Sequence, residues 1–259
     1  MNNKVVWITG ASSGIGEALV YAYNNAGAKL IISSRNRDEL FRVKGNCKNQ
    51  INVHVLSIDL EDAAQLQEKA KDAQKIYGNI DLLVNSGGIS QRSAAIDTDL
   101  AIEQKLMNVN FWGTVALSKS VLPSMIAKGG GKIACISSLS GKFGVKNRAA
   151  YAASKHALHG YFDSLRTEVY DKNIHIIMIC PGYIKTSLSV NAATSDGNLH
   201  GVMDENQENG MPAADCAKEI VKAIEQNKEE VYIGGKELKG ILFKRFFPKR
   251  FSKYMKSRA

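Results

Sequence analysis

The sequence has few of the features that mark a secreted or membrane-spanning protein. It contains only four cysteines, Cys47, Cys135, Cys180 and Cys216, and their spacing suggests neither a disulfide framework nor a zinc site. No apolar stretch reaches the roughly 18 residues that a membrane span needs. The first residues, MNNKVVWITG, lack the charged segment and long apolar run of a signal peptide. We therefore expect a soluble, cytoplasmic protein with reduced thiols.

Acidic residues are nearly absent from the C-terminal end. Residues 236–259 hold nine Lys or Arg and one Glu, so they supply 9 − 1 = +8 of the formal net charge of +9. The rest of the chain is close to neutral. The positive charge therefore belongs to the tail, and no nucleic-acid partner is expected for the main domain.

The sequence does contain a regular alternation of apolar runs and helical patterns. The runs are KVVWITG, AKLIISS, INVHVLSID, IDLLVNSG, GKIACISS, IHIIMICPG and the weaker EEVYIGG. Helices are predicted at 14–27, 37–45, 61–77, 100–127, 151–171 and 213–226. Near-continuous apolar runs indicate strands buried on both faces, and the alternation implies right-handed βαβ crossovers. We predict a single-domain, Rossmann-type α/β fold, a doubly wound parallel sheet of about seven strands with helices on both faces.

One long polar connection interrupts this alternation at 186–212. A loop of this length in a compact domain is usually a functional lid or disordered, and its position beside the motifs below favours a lid. We assign residues 1–235, lid included, to one domain that binds its ligands at the carboxyl ends of the strands. Residues 236–259 form a basic, aromatic extension.

A glycine-rich turn, TGASSGIG at 9–16, follows the first strand and opens the first helix. Its glycines would allow a tight turn and close approach of the backbone to a pyrophosphate, while the helix N-terminus offers free N–H donors. A purely structural turn would also explain the glycines, but the strand before and the helix after favour a dinucleotide. The predicted contacts here are Gly10, Ser12, Ser13, Gly14, Ile15 and Gly16.

The end of the second strand predicts which dinucleotide is bound. NAD sites usually carry an acid about 20 residues beyond the glycines, whereas a nearby Arg suits the 2′-phosphate of NADP. Here Ser34 and Arg35 occupy that position, and the first acid is Asp38. NADP(H) is therefore favoured over NAD(H). The alternative is that Arg35 and Arg37 are only surface charges.

A tyrosine and a lysine lie four residues apart in YAASK, which puts Tyr151 and Lys155 on the same face of a helix. A phenol normally titrates near pH ~10, and an ammonium group one turn away, together with a positively charged nicotinamide, would favour the phenolate and lower that pKa. Such a tyrosine can act as a general acid and base. The pair alone would also fit a buried tyrosine beside a solvated lysine.

Together, the motifs TGASSGIG, SIDL, NSGG, NVN, the serines at 137 and 138, YAASK and the PG at 181–182 resemble those of the short-chain dehydrogenase/reductase family. The resemblance covers about residues 4–190 and implies hydride transfer between a nicotinamide cofactor and a ketone or alcohol. Asn108 and Ser137 match its catalytic pattern less well than their neighbours do. The catalytic residues that the resemblance implies are Asn110, Ser138, Tyr151 and Lys155.

The resemblance gives each of these residues a role. Tyr151 would donate a proton in reduction and accept one in oxidation, Ser138 would hold the substrate oxygen, and Lys155 would also bind the nicotinamide ribose. Asn110 would hold a water that links Lys155 to bulk solvent.

Further cofactor contacts are implied on the other strands. Asp59 and Leu60 in SIDL match the adenine side, although Asp59 would serve equally as a helix cap. Asn85 and Gly87 lie in NSGG, which departs from the family's usual N-N-A-G. The contacts implied beneath the nicotinamide and at its carboxamide are Pro181, Gly182, Ile184 and Thr186.

We expect an NADP(H)-dependent carbonyl reductase or secondary alcohol dehydrogenase, and keep a non-catalytic dinucleotide-binding sensor or scaffold as the alternative. The segment SLSGKFG, the lid and the tail are expected to line a pocket for a small, hydrophobic carbonyl or alcohol. No metal is expected, because His156 and His159 lack a third ligand nearby.

The sequence of the tail fits more than one binding partner. Its aromatic and basic residues fit peripheral contact with an anionic membrane surface. By family habit, C-terminal segments instead cover the pocket or pack on a neighbouring subunit, and the protein is expected to be a homodimer or homotetramer.

Overall fold

A computed structural model describes residues 2–257. Its strands are β1 (Val5–Thr9), β2 (Lys29–Ser33), β3 (Val53–Val55), β4 (Leu82–Asn85), β5 (Gly131–Ile136), β6 (Ile174–Pro181), β7 (Ile184–Lys185), β8 (Met211–Pro212) and β9 (Glu230–Ile233). Its helices are α1 (Gly14–Asn25), α2 (Arg37–Gly45), α3 (Ala63–Tyr77), α4 (Leu100–Met107), α5 (Gly113–Ala127), α6 (Ala149–Glu168), α7 (Glu205–Glu208), α8 (Ala213–Glu225), α9 (Lys239–Phe246) and α10 (Pro248–Ser257). The outer ends of the predicted domain and extension, residue 1 and residues 258–259, lie outside the described residues.

Seven strands form one parallel sheet in the order β3-β2-β1-β4-β5-β6-β9, which confirms the predicted α/β fold. Side chains alternate between its two faces: in β1, Val6 and Ile8 enter one core and Val5 and Trp7 the other. Helices α1, α2 and α8 cover the first face, and α3, α5 and α6 cover the second. The order reverses between β1 and β4, where ligands bind in folds of this type.

The observed helix ends differ from the predicted ones for local reasons. Helix α1 ends at Asn25 because Gly27 has a φ of +78°. Helix α3 begins at Ala63 because the Asp62 carboxylate caps it by accepting from Gln65 N. Helix α6 begins at Ala149, since Ala150 N donates to the buried side-chain oxygen of Gln91 at 3.0 Å.

The predicted helix 100–127 is not continuous. A π-helical turn over Asn108–Trp112 joins α4 to α5. Wide turns of this kind often occur at functional sites, and this one carries Asn110.

The predicted lid, 186–212, is folded. Strand β7, which enters it, pairs with β8, which closes it. Ala193 bridges both Gln91 and Leu199, so the lid is attached to the loop that follows β4.

The tail packs on the body of the molecule. Helices α9 and α10 contact each other through Phe243 and Phe251, whose ring centres are 5.6 Å apart, and Phe251 also packs on Phe143. Lys244 Nζ donates to Lys142 O at 2.7 Å. Among residues 2–257, no helix combines the length and the apolar character needed to cross a bilayer.

Candidate active site

A cavity of about 660 Å³ opens at the carboxyl ends of β1, β4, β5 and β6. All the residues predicted to bind cofactor line it except Asn85. The lining residues in that set are Gly10, Ser12, Ser13, Gly14, Ile15, Gly16, Ser34, Arg35, Asp59, Leu60, Gly87, Tyr151, Lys155, Pro181, Gly182, Ile184 and Thr186.

The glycine-rich turn is packed so tightly that side chains are excluded from it. Gly10 has a φ of +62°, and a Cβ there would lie 2.6 Å from Gly87 Cα. A Cβ on Gly16 would lie 2.1 Å from Gly10 O. Thr9 Oγ1 fixes the facing loop by accepting from Ser86 N and Gly87 N at 3.2 and 3.1 Å. The backbone itself therefore forms this wall of the cavity.

The start of α1 is suited to an anion. Ser13 occupies the N-cap position, but its side chain does not cap the helix. The first backbone N–H groups therefore keep their hydrogen-bonding capacity at the positive end of the helix dipole, which fits the pyrophosphate of a dinucleotide.

Arg35 lies two residues after the end of β2, at the rim of the cavity. It is exposed and lines the cavity, and within residues 2–257 its side chain forms no ion pair or hydrogen bond. Arg37 stacks on Phe41 at 5.5 Å, and Arg42 pairs with Glu17 at 2.8 Å. A guanidinium without a counter-charge at this position fits a 2′-phosphate.

Asn85 was predicted to contact the cofactor, but its side chain does not line the cavity. It is buried, and Nδ2 donates to Ser118 Oγ at 3.0 Å. The amide thus ties β4 to α5, and we assign it no cofactor contact.

Tyr151 is buried and lines the cavity, and Ser138 is the serine that acts on its hydroxyl. Two cations flank its ring: Lys155 Nζ lies 5.8 Å and the Arg148 guanidinium carbon 5.9 Å from the ring centre. Burial raises the pKa of Tyr151, while Arg148 and the Ser138 hydrogen bond act in the opposite direction.

Lys155 is also buried, and its Nζ donates to Ile136 O at 2.9 Å. Burial lowers the pKa of this ammonium group to about 8. Within the protein itself, burial has the larger effect on the pKa of Tyr151 and Arg148 supplies the opposing charge. That Lys155 and a positively charged nicotinamide together lower this pKa stays a prediction.

Asn110 lies behind the cavity rather than in its wall. Its Oδ1 accepts from Ile89 N at 2.8 Å, and its Nδ2 donates to Ile89 O at 2.9 Å and to Ser154 Oγ at 3.0 Å. The π-helical turn thus fixes the loop after β4 against α6, close to Lys155: a Cβ on Gly88 would lie 3.1 Å from Asn110 Oδ1 and 3.6 Å from Lys155 Nζ.

The two adjacent serines have different partners. Ser138 acts on the Tyr151 hydroxyl, and its Oγ accepts from Ser140 N at 3.1 Å. Ser137 Oγ instead lies 2.9 Å from His159 Nε2. The geometry thus favours Ser138 as the partner of the tyrosine.

His159 is buried among groups that approach its two ring nitrogens from different sides. Ser137 Oγ and Cys180 Sγ face Nε2, whereas Glu230 Oε2 lies 3.3 Å from Nδ1. One ring nitrogen of His159, the Cys180 sulfur and one Glu230 oxygen lie within 4.8 Å of one another, a spacing that could hold a metal ion, so the expectation that no metal binds stays a prediction.

Comparison with known proteins decides the family. The family model described as short chain dehydrogenase matches residues 4–197. The chain belongs to the short-chain dehydrogenase family. A dehydrogenase/reductase SDR family protein 7-like of Anopheles gambiae is 43% identical over 242 residues, which cover 90% of this chain and 75% of that protein.

Two solved structures show the same fold. A short chain dehydrogenase/reductase from Burkholderia phymatum in complex with NAD has 20% identity and a TM-score of 0.85, covering 96% of this chain and 95% of that one. An alcohol dehydrogenase from Thermococcus sibiricus complexed with 5-hydroxy-NADP has 22% identity and a TM-score of 0.77, covering 91% of this chain and 97% of that one.

This short-chain dehydrogenase also lines its cavity with residues that sequence reasoning missed. The lid contributes Ser187, Leu188, Asn191 and Gln207. Among residues 2–257, neither SLSGKFG nor the tail lines this cavity, and their place at the substrate pocket stays a prediction. Gly88 is the last residue of NSGG and Ile89 directly follows it, so using the whole motif and continuing it by one residue would have found both. The lid residues have no local signal, since their positions depend on the contacts of the folded lid.

Proposed function

We propose that the chain is an NADP(H)-dependent carbonyl reductase and, in the reverse direction, a secondary alcohol dehydrogenase. One observation carries the proposal: Tyr151 lines the same cavity as the glycine-rich turn and the uncapped start of α1. A proton donor and a dinucleotide cradle therefore share one space, as carbonyl reduction requires.

The preference for NADP(H) is supported by the unpaired Arg35 at the cavity rim and by the absence of an acid at the end of β2. When bound, the cofactor supplies the hydride that reduces the carbonyl carbon or accepts it from the alcohol. The glycine-rich turn and α1 would hold its pyrophosphate, Ser34 and Arg35 its 2′-phosphate, and Lys155 its nicotinamide ribose.

Tyr151 gives its phenolic proton to the carbonyl oxygen in reduction, while the Ser138 hydroxyl hydrogen-bonds the same oxygen and holds it in line. Because burial raises the pKa of Tyr151, the phenol stays protonated at neutral pH, which suits reduction. Oxidation needs the phenolate as proton acceptor, so its rate should rise with pH. Asn110 positions the loop at Ile89 and the neighbouring helix.

The test compares consumption of NADPH and NADH over a panel of ketones and aldehydes by wild type and by Tyr151→Phe. Loss of the proton donor should lower kcat by about 10²- to 10⁴-fold, while NADPH binding, followed by fluorescence, persists. Tyr170→Phe, at a residue that is 80% exposed, is the matched control. Binding of NADPH without turnover of any ketone by wild type would favour the sensor or scaffold instead.

We further propose a homo-oligomer. Trp112 is 52% exposed, and its ring packs on Phe111, which in turn contacts Tyr161 of α6. An exposed aromatic edge at the π-helical turn, beside α6, suits a two-fold contact between copies. Light scattering at micromolar concentration that gave the mass of a single chain would refute this.

A further inference from the structure

Three segments converge beside Tyr151 in a cluster of two arginines and one aspartate. Arg92 comes from the loop after β4, Arg148 immediately precedes α6, and Asp204 belongs to the lid. Arg92 Nη2 donates to Asp204 Oδ2, and Arg148 Nη2 lies 3.9 Å from the same oxygen. Arg148 also faces the Tyr151 ring.

This cluster lacks one negative charge. The side chains of Arg92, Arg148 and Asp204 are only 20%, 12% and 17% exposed. The other oxygen of Asp204 accepts from Asn206 N and Gln207 N, so Oδ2 alone serves two guanidinium groups. A second positive charge is left largely buried without a partner, which is costly unless an anion compensates it.

Two buried polar atoms in the cluster have no hydrogen-bond partner. Arg92 Nε is a donor and Gln207 Oε1 an acceptor, and both are fully enclosed. Gln207 is only 6% exposed, yet it lines the cavity that contains Tyr151. Burial and the neighbouring Arg148 lower the pKa of Arg92 to about 10. Native proteins rarely leave buried polar groups unsatisfied, and a bound anion would accept from Arg92 Nε and supply that missing partner.

We propose that Arg92 and Arg148 bind an anionic oxyacid group of the substrate, a carboxylate or phosphate monoester, while its carbonyl lies at Tyr151. The guanidinium fork matches both groups, because it offers parallel N–H donors to two oxygens. Gln207 completes the site with its amide. Without substrate, Asp204 of the lid occupies part of this anion site. The inference rests on the proposed reductase function, since it places the substrate by its proton donor.

Two competing roles for the arginines predict different behaviour. If the arginines only hold the lid through Asp204, their loss affects all substrates alike. If Arg148 only stabilises the Tyr151 phenolate, its loss shifts the pH profile of neutral and anionic substrates equally. Only if the arginines bind the substrate anion will their loss affect an anionic substrate more than a neutral substrate of the same shape.

The experiment therefore uses matched ketones: 4-oxopentanoate and longer keto acids with their methyl esters, and keto phosphate monoesters with the corresponding free alcohols. In Arg92→Gln and Arg148→Gln, the ratio of kcat/KM for anionic over neutral ketone should fall about 30-fold, as expected for the loss of one charge-assisted hydrogen bond. Asp204→Asn, which removes the competing carboxylate, should raise this ratio. Lys146→Gln, an exposed cation in the loop before Arg148, is the control.

An unchanged ratio in both arginine variants would overturn the proposal, whatever happens to the absolute rates. Comparing the keto acids with the keto phosphates shows which oxyacid group the site prefers. If the reductase function itself is wrong, the wild-type protein will reduce neither the neutral nor the anionic ketones. In that case, calorimetry of the NADPH-loaded protein with 4-oxopentanoate still tests the arginines: binding that Arg92→Gln abolishes supports the anion site, and no binding refutes it.

Discussion

Burial acts on the charges of Tyr151 and Lys155 in the same sense, since it favours the neutral form of each. It raises the pKa of the phenol and lowers that of the ammonium to about 8. At neutral pH the phenol is neutral in both the folded and the unfolded chain, so the cost of burial to folding falls on the ammonium group of Lys155. We therefore predict that Lys155 lowers the stability of the folded protein, although the proposed reaction requires it.

Lys155→Met should test this cost. In the folded protein the pKa of Lys155 falls from 10.5 to about 8, which is equivalent to about 3 kcal/mol at pH 7. After a loss of about 1 kcal/mol for the hydrogen bond to Ile136 O, the variant should be about 2 kcal/mol more stable, although inactive. Urea denaturation without cofactor measures this difference.

The sign of the pH dependence follows from proton binding. Between pH 8 and 10.5 the unfolded chain holds more protons at this lysine than the folded chain, so wild type gains stability as the pH rises. The advantage of Lys155→Met should therefore shrink across this window and be absent above it. If the difference in unfolding free energy between wild type and Lys155→Met is constant from pH 7 to 11, burial does not lower the pKa of Lys155. Lys146→Met is the control for the loss of a surface cation.

Arg35 should determine the choice of cofactor. In Arg35→Gln, kcat/KM for NADPH should fall about 10- to 100-fold, because a charge-assisted contact with the 2′-phosphate is lost. The value for NADH should change little. Arg37→Gln is the matched control, since Arg37 stacks on Phe41. Equal losses with both cofactors would contradict the assignment of Arg35.

Among the helices and turns, the effect of a glycine depends on what surrounds it. Gly160 lies within α6, and a Cβ there would meet nothing within 4 Å. Gly160→Ala should therefore stabilise the protein by about 0.5–1 kcal/mol, through the better helix propensity of alanine. Gly16→Ala should destabilise it and abolish NADPH binding, because the new Cβ would collide with Gly10 O.

Thermal unfolding with and without NADPH measures both variants. A Gly16→Ala protein that binds NADPH normally would show that the turn can relax, and the tight backbone cradle would then not be required. A Gly160→Ala protein less stable than wild type would show that another contact limits this face of α6.

The elements that could be predicted from sequence are those set by local pattern. Apolar runs and the glycines that follow them give the strands and the cofactor cradle, because both depend on neighbours in the chain. The π-helical turn at Asn110 could not be predicted, since its stability comes from bonds to Ile89 and Ser154. Asn85 was assigned wrongly because a motif does not show which way an amide points. Arg92, Arg148 and Asp204 are brought together only by the folded lid.

For the molecule as a whole, the tail concentrates charge and apolar surface in one place. Residues 236–257 contain eight Lys or Arg, and in this described part of the tail none forms an ion pair. Glu237, the single acid there, accepts from Tyr183 N and Gly235 N instead. Leu242 and Phe246, one turn apart on α9, are 60% and 65% exposed. Like charges oppose pairing of two such tails, so we propose an anionic membrane surface as their partner.

Vesicle sedimentation tests this contact. The protein should bind vesicles that contain phosphatidylserine and be released by 0.5 M salt, because each cation near the surface contributes only about 1 kcal/mol and is screened. Changing Leu242 and Phe246 together to Ser should weaken binding about tenfold or more, since apolar burial is lost. Ile51→Ser, at a residue that is 86% exposed and far along the chain, is the control. If the protein does not bind phosphatidylserine vesicles but self-associates through α9, the tail is a contact between subunits instead. Groups of the neighbouring copy would then have to neutralise the positive charges of the tail.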